Sequence, residues 1–401
     1  MTDPAIDLTD EQRAAVDMAV DGGHRVCCLT GGPGTGKSTT IRELVRRLRE
    51  QGRRVTLAAP SGKAALRLSQ AAGIPASTIH RMLFLRPGSM EPQPLVYEVV
   101  VVDEASMIDV ELMAALMRAA FEAGTVQTLL LVGDADQLPP VGPGQPFLDM
   151  LASGVVPTAR LTKIQRQAEK SGIVQAAHAI KAGRAPEWAP DFELVECPDA
   201  ERVPSTVHQV LELYEANAED TLVLAPKRDG SAGVKALNDF IETRRGAKPT
   251  LVRGMFRPGT RVIQTANNYD YAVFNGELGW VVEAHEGEGK KRNADRVVVE
   301  WPGRPRCDYR GGMLNQLLPA WAMTVHRSQG SEAKLVVVVA HKQASFMLTR
   351  SLLYVAVTRA RERVVLVGDS RAVEGAVRKV ADVSRDTMLR RWFKSAKGAV
   401  A

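Results

Sequence analysis

Gly31-Gly32-Pro33-Gly34-Thr35-Gly36-Lys37-Ser38 follows the apolar run Val26-Cys27-Cys28-Leu29 and leads into a segment rich in Arg and Leu. The pattern G-x-x-x-x-G-K-[ST], set between a strand and a helix, is a phosphate-binding loop. Its glycines let successive backbone N–H groups converge on phosphate oxygens. Lys37 has the reach to meet the β- and γ-phosphates, and Ser38 offers a hydroxyl to Mg²⁺. The eight residues, with Thr39 after them, form the expected nucleotide-binding element.

Around this loop, apolar runs at Arg25–Thr30, Arg54–Ala59, Val99–Val102 and Gln127–Val132 alternate with helix-like stretches at 38–51, 62–72 and 108–122. That rhythm predicts a parallel, doubly wound α/β sheet. Two more of these strands end in groups that a phosphate site uses. Val99-Val100-Val101-Val102 runs into Asp103 and Glu104. Asp103 is placed to hold Mg²⁺, directly or through water, and Glu104 to orient and deprotonate an attacking water. The same acids can also cap the turn Ala105-Ser106-Met107-Ile108. The third strand end, Leu131–Pro140, carries Gln137. Alone, Gln137 reads as part of a polar turn; beside the other two strand ends it is expected to sense the γ-phosphate or position the water.

The chain has 401 residues, 45% hydrophobic and 24% charged, which excludes global disorder and allows two to three domains. Cys27, Cys28, Cys197 and Cys307 include no C-x-x-C pair. That argues against a zinc ribbon, an iron–sulfur cluster or a disulfide framework, and for a reducing cytoplasm. With no basic-then-apolar leader and no run near roughly 18 apolar residues, neither secretion nor a membrane span is expected. The net charge is +6, with the basic excess in the second half. There Arg244, Arg245, Lys248, Arg253, Arg257 and Arg261 succeed one another with no acid between them. This stretch reads either as solvated surface or as a face that guides a nucleic-acid strand by neutralising phosphates. A second α/β pattern has strands at Thr221–Leu224, Leu335–Ala340 and Arg363–Val367 and a helix near 346–360. Residues 254–318 interrupt it with short alternating segments (Arg261–Gln264, Glu277–Ala284, Arg296–Trp301) and Asn-Gly, Gly-Glu-Gly and Pro-Gly turns, as in a small β-barrel. Trp280, Trp301 and Trp321 read as core.

In this order, the segments resemble those of a superfamily 1 helicase, and more narrowly of the RecD-like branch that moves 5′→3′ on DNA. Leu8-Thr9-Asp10-Glu11-Gln12 is similar to the Q motif, whose Gln contacts adenine. Ala59-Pro60-Ser61-Gly62-Lys63-Ala64-Ala65 and Ser77-Thr78-Ile79-His80-Arg81 resemble the strand-contacting motifs Ia and Ib. Asp103-Glu104-Ala105-Ser106-Met107 matches motif II, and Gly133–Pro140 motif III. Leu161-Thr162-Lys163-Ile164-Gln165-Arg166-Gln167 resembles motif IV, Thr324–Glu332 motif V and Tyr354–Arg361 motif VI. Val262-Ile263-Gln264, Asn267-Asn268-Tyr269 and Phe274–Gly279 look like the SH3-like insertion of this branch.

The resemblance implies two RecA-like domains, 1–160 and 161–253 with 319–401, the second carrying the insertion 254–318. Lys37, Glu104, Gln137 and the arginine fingers Arg166 and Arg359 would then be catalytic, Gln12 and Glu332 would help bind ATP, and Ser38 and Asp103 would hold Mg²⁺. Pro60, Ser61, Thr78, His80, Asn267, Thr324 and His326 would contact the strand. A short β-hairpin pin is expected near 84–97, with no aromatic in its turn Leu85–Pro92. The implied activity is that of a monomeric, cytoplasmic ATP-dependent 5′→3′ DNA translocase and helicase, acting on single strands and on duplexes with 5′ tails. An RNA or RNA–DNA hybrid helicase of the same superfamily and an ATP-gated nucleic-acid loading factor are the competing readings; strand-stimulated turnover separates the last from the others.

Overall fold

The computed structural model describes residues 8–86, 89–122, 124–163, 171–245, 252–268, 270–287, 295–379, 387–392 and 395. The chain divides into two compact units, Met1–Val174 with Asp382–Ala401, and Gln175–Ala381.

The first unit is built on six parallel strands: β1 (Val26–Gly31), β2 (Val55–Ala59), β3 (Ala76–Thr78), β4 (Val99–Val102), β5 (Thr128–Gly133) and β6 (Thr158–Leu161). They lie in the order β3-β2-β4-β5-β1-β6. The central strands are continuous apolar runs because helices cover both faces of the sheet. Successive residues alternate between faces, so Cys28, Val100, Val102, Leu129 and Leu131 join one core. Cys27, Leu29, Val99, Val101, Leu130 and Val132 join the other. Helices Asp10–Val20, Lys37–Glu50 and Gly62–Ala72 supply Val16, Leu44 and Leu68 to the second core. Leu112, Leu116 and Phe147, from helices Val110–Met117 and Pro146–Ser153, fill the first.

The expected helix 108–122 starts instead at Val110, because the Asp109 carboxylate caps it by accepting from Leu112 N–H at 2.9 Å. It ends in a wider π-helical turn at Arg118–Glu122. β3 and β6 escape sequence reading because Ala-Ser-Thr and Thr-Ala-Arg-Leu are short edge strands without an apolar run. No strand occurs among the described residues of the expected pin at 84–97, of which Pro87 and Gly88 lie outside the described set. Pro92 and Pro94 remove two backbone donors that a hairpin could use. The segment is held otherwise: Gln93 N–H donates to Leu83 O, Leu95 N–H to Ala119 O, and Arg118 Nη2 to Met90 O. Residues 382–401, expected in the second domain, group with the first unit. There Thr387 Oγ1 donates to the buried Asp149 Oδ2 at 2.5 Å.

The second unit contains two sheets. β7 (Phe192–Glu196), β8 (Thr221–Ala225), β14 (Ala322–Thr324), β15 (Ala333–Ala340) and β16 (Ala360–Gly368) form a parallel sheet in the order β14-β8-β15-β16-β7. β9 (Arg261–Gln264), β10 (Leu278–His285), β11 (Arg296–Glu300), β12 (Cys307–Arg310) and β13 (Leu317–Pro319) form an antiparallel sheet in the order β12-β11-β10-β9-β13. It has its own core, in which Phe256, Val281, Val299, Trp301, Tyr309 and Leu317 meet. The helix expected near 346–360 is the shorter Arg350–Val357, capped by the Thr349 hydroxyl.

Candidate functional site

Parallel strands leave their carboxyl ends along one edge of the sheet, where open α/β sheets bind ligands. β4, β5 and β1 are neighbours there, and Leu131 lies level with both Val102 and Cys28. Asp103, the Gln137 turn and the phosphate loop therefore leave the sheet side by side. Gly34 and Gly36 have φ of 73° and 83°, left-handed values that a Cβ would oppose. Lys37 Nζ donates to Gly31 O at 2.7 Å and Gly32 O at 3.1 Å, and Thr35 Oγ1 to Gly32 O at 2.8 Å. The ammonium thus lies against the loop whose N–H groups open the helix Lys37–Glu50. Ser38 is exposed and Thr39 half-buried on the first turn of that helix.

Asp103 accepts from Glu104 N–H at 2.8 Å. Burial, followed by the neighbouring Glu104 carboxylate, pushes its pKa up to about 6, and Lys37 and Arg67 act in the opposite direction. Glu104 has φ 53°, left-handed for a residue with a side chain. The Ser38 hydroxyl and the Asp103 carboxylate are hard oxygen donors, and a cation relieves the cost of two adjacent acids. This donor set fits Mg²⁺, which takes one or two protein oxygens beside phosphates and waters. In the turn after β5, the buried Asp134 accepts from Asp136 N–H at 3.0 Å and its carbonyl from Gln137 N–H at 3.3 Å. It thereby shapes the loop that presents Gln137.

Gln12 is buried and its amide is engaged at both ends. Nε2 donates to Thr35 O at 3.1 Å, and Oε1 accepts from Thr9 N–H at 3.0 Å in a capping box. Gln12, expected to contact adenine, is tied to the phosphate loop through Thr35 O and to its own helix through the capping box. The adjoining Glu11 accepts from Thr162 Oγ1 (2.5 Å), Thr162 N–H (2.7 Å) and Lys163 N–H (3.1 Å). These bonds, the Thr162 hydroxyl foremost, hold its pKa below the usual value.

Pro60 and Ser61 follow β2, and Thr78 ends β3 two residues before His80, on the same edge. Ser61 Oγ accepts from Ala64 N–H and Thr78 Oγ1 from Arg81 N–H, so both hydroxyl oxygens serve as helix caps. Thr78 is 5% exposed. His80 is half-buried, and burial lowers its pKa. In the second unit, Thr324 ends β14 with no side-chain cap bond, and His326 is exposed in the turn after it. Asn267 is exposed, and its Oδ1 accepts from Asn275 N–H at 3.0 Å. Arg359 is 5% exposed. Its guanidinium donates to Val355 O, Ser331 O and Thr358 Oγ1, which brings motif VI against motif V one residue before the half-buried Glu332. Arg166 lies outside the described residues.

Residues 7–198 match the family model described as an AAA domain, and residues 319–367 that of the UvrD-like helicase C-terminal domain. The chain is 39% identical over 396 residues to the ATP-dependent RecD2 DNA helicase of Deinococcus radiodurans, an alignment covering 96% of this chain and 52% of that one. It is 33% identical over 425 residues to the RecBCD enzyme subunit RecD of Mycobacterium tuberculosis, covering 93% of this chain and 71% of that one. The chain belongs to the RecD family of superfamily 1 helicases. It spans about half the length of its Deinococcus relative. The crystal structure of Bacteroides Pif1 helicase in complex with ADP-AlF3 and ssDNA shares the fold, with a TM-score of 0.59 at 18% identity over 98% of each chain.

In this RecD-family chain four arginines of the basic stretch 244–261, read either as solvated surface or as a strand-guiding face, are engaged within their own unit. Arg253 pairs with Asp295 at 3.2 Å and Arg257 with Glu242 at 2.5 Å. Arg261 is buried and donates to Thr221 O at 2.8 Å. Arg245 lies 4.2 Å over the Trp321 ring, and Lys248 is outside the described residues. Arg253, Arg257 and Arg261 fasten the antiparallel sheet within its unit. Glu11, Asp134 and Arg67 are the neighbours of the site that sequence reasoning missed. Only Asp134 carried a signal, as an Asp opening a Gly-Asp-Ala-Asp turn.

Proposed function

We propose that this RecD-family chain couples ATP hydrolysis to 5′→3′ movement along single-stranded DNA and to unwinding of duplexes with 5′ single-stranded tails. The observation that carries the reading is the adjacency of β4, β5 and β1, which sets Asp103–Glu104, Gln137 and the phosphate loop on one sheet edge. Lys37 and the loop N–H groups cradle the β- and γ-phosphates of ATP. Ser38 and Asp103 hold Mg²⁺, which neutralises phosphate charge when bound. Glu104 takes the proton of the attacking water, Gln137 positions that water, and the bond from the γ-phosphorus to the bridging oxygen breaks. Arg166 and Arg359 neutralise charge on the transferring group, and Gln12 and Glu332 complete the nucleotide site. Pro60, Ser61, Thr78, His80, Asn267, Thr324 and His326 address the strand, Thr78 also capping the helical turn of motif Ib. Among the described residues no helix is long and apolar enough to cross a membrane. The proposed setting is the cytoplasm, and the working form a monomer.

Strand displacement on DNA and RNA duplexes with tails of each polarity tests the reading. The expected result is ATP-dependent unwinding of the 5′-tailed DNA alone, with ATPase stimulated by single strands. Unwinding from a 3′ tail overturns the polarity, and ATPase indifferent to single strands overturns the coupling.

A further inference from the structure

Phe84 stands just past motif Ib with 65% of its surface exposed and a φ of 52°. Left-handed backbone is a genuine outlier for a bulky residue and persists only where the surroundings over-determine it. Here they do. Leu83 is fully buried, and Leu85 packs against the same core, so the residues on either side are anchored. Phe84 N–H donates to Arg81 O at 3.1 Å, Leu85 N–H to His80 O at 3.0 Å, and Gln93 N–H to Leu83 O at 3.0 Å. The ring is thus held in water by a rigid frame. Two cations flank it in sequence, Arg81 and Arg86, both exposed. An exposed aromatic with cations nearby in sequence carries the chemistry of single-strand binding, in which bases stack and phosphates are neutralised.

We propose that Phe84 is a stacking platform for one unpaired base of a bound single strand, with Arg81 and Arg86 on the adjoining phosphates. The proposal rests on the single-strand reading above, and adds a base contact to residues that otherwise address the backbone.

Fluorescence-anisotropy titrations with a dT oligonucleotide and an abasic strand of equal length test this on wild type, F84A, F84G and F84W. F84A and F84G are expected to bind dT about 5- to 100-fold more weakly, the range for losing one stacked base. F84W binds at least as tightly as wild type. The wild-type preference for dT over the abasic strand shrinks in F84A by the factor lost on dT. F84G relaxes the left-handed backbone and melts no lower than wild type, so its weaker binding is not misfolding. Wild-type affinity for dT in F84A and F84G overturns the proposal. So does an equal loss on dT and abasic strands, since the ring would then act by shaping the loop. A wild-type chain that binds no single strand fails the parent reading itself and is distinguished by that.

Discussion

Glu104 combines a left-handed backbone with the position next to Asp103. That conformation costs a residue with a Cβ roughly 1–2 kcal/mol. Replacing it by Gln keeps the shape and removes the proton acceptor. E104Q is expected to bind ATP normally and to lose about 10²–10⁴ in strand-stimulated turnover. E104N is expected to be as inactive but to melt higher than E104Q, because Asn tolerates this backbone better. Near-wild-type turnover in E104Q removes Glu104 as the base. Arg359 invites a sharper comparison. R359A is expected to lower kcat by about 10³ or more with little change in KM for ATP. R359K should not rescue it, since a lysine cannot reproduce the planar fork that meets Val355, Ser331 and Thr358. Weakened ATP affinity with unchanged kcat would make Arg359 a binding residue only. Lys37, Asp103 and Glu104 were legible as candidates because each sits in a motif that directly follows an apolar strand. The inward turn of Gln12 was not, because it depends on a carbonyl 23 residues away.

At the scale of elements, the antiparallel sheet and the helix Val234–Arg244 meet at one carboxylate. Glu242 accepts from Arg257 Nε (2.5 Å), Thr260 Oγ1 (3.0 Å) and Trp321 Nε1 (2.5 Å). Removing one partner of a buried ion pair strands the other charge, at a cost of about 3–5 kcal/mol. E242A should therefore lower the denaturation midpoint strongly, and E242A with R257M less than E242A alone. Denaturant unfolding of E242A, R257M and the double variant checks this, and an additive double variant would mean that the pair is not coupled. The α/β rhythm was readable because buried parallel strands are continuous apolar runs. The use made of the basic stretch was hidden. Its partners Glu242, Asp295 and Thr221 come from other elements, and a run of like charges in sequence says nothing of acids that fold against it. β7, Phe-Glu-Leu-Val-Glu, was missed because it is an edge strand with polar alternate positions.

For the molecule as a whole, single-strand affinity should fall linearly in log–log terms with salt and vary little with base sequence. Each phosphate contact on a single strand contributes about 0.7 to that slope. R86Q is thus expected to reduce it by about 0.7, whereas R257Q changes stability and leaves it alone. Titrations across a salt series distinguish the two; a reduced slope in R257Q would restore the basic stretch as a strand guide. Asp10–Val20 links two regions that are far apart along the chain. Gln12 grips the phosphate loop at Thr35, and Glu11, one residue before it, grips Thr162 and Lys163 at the end of β6. The loop that meets a nucleotide and the segment that opens motif IV are therefore moored to one capped helical turn, like two lines on a single cleat.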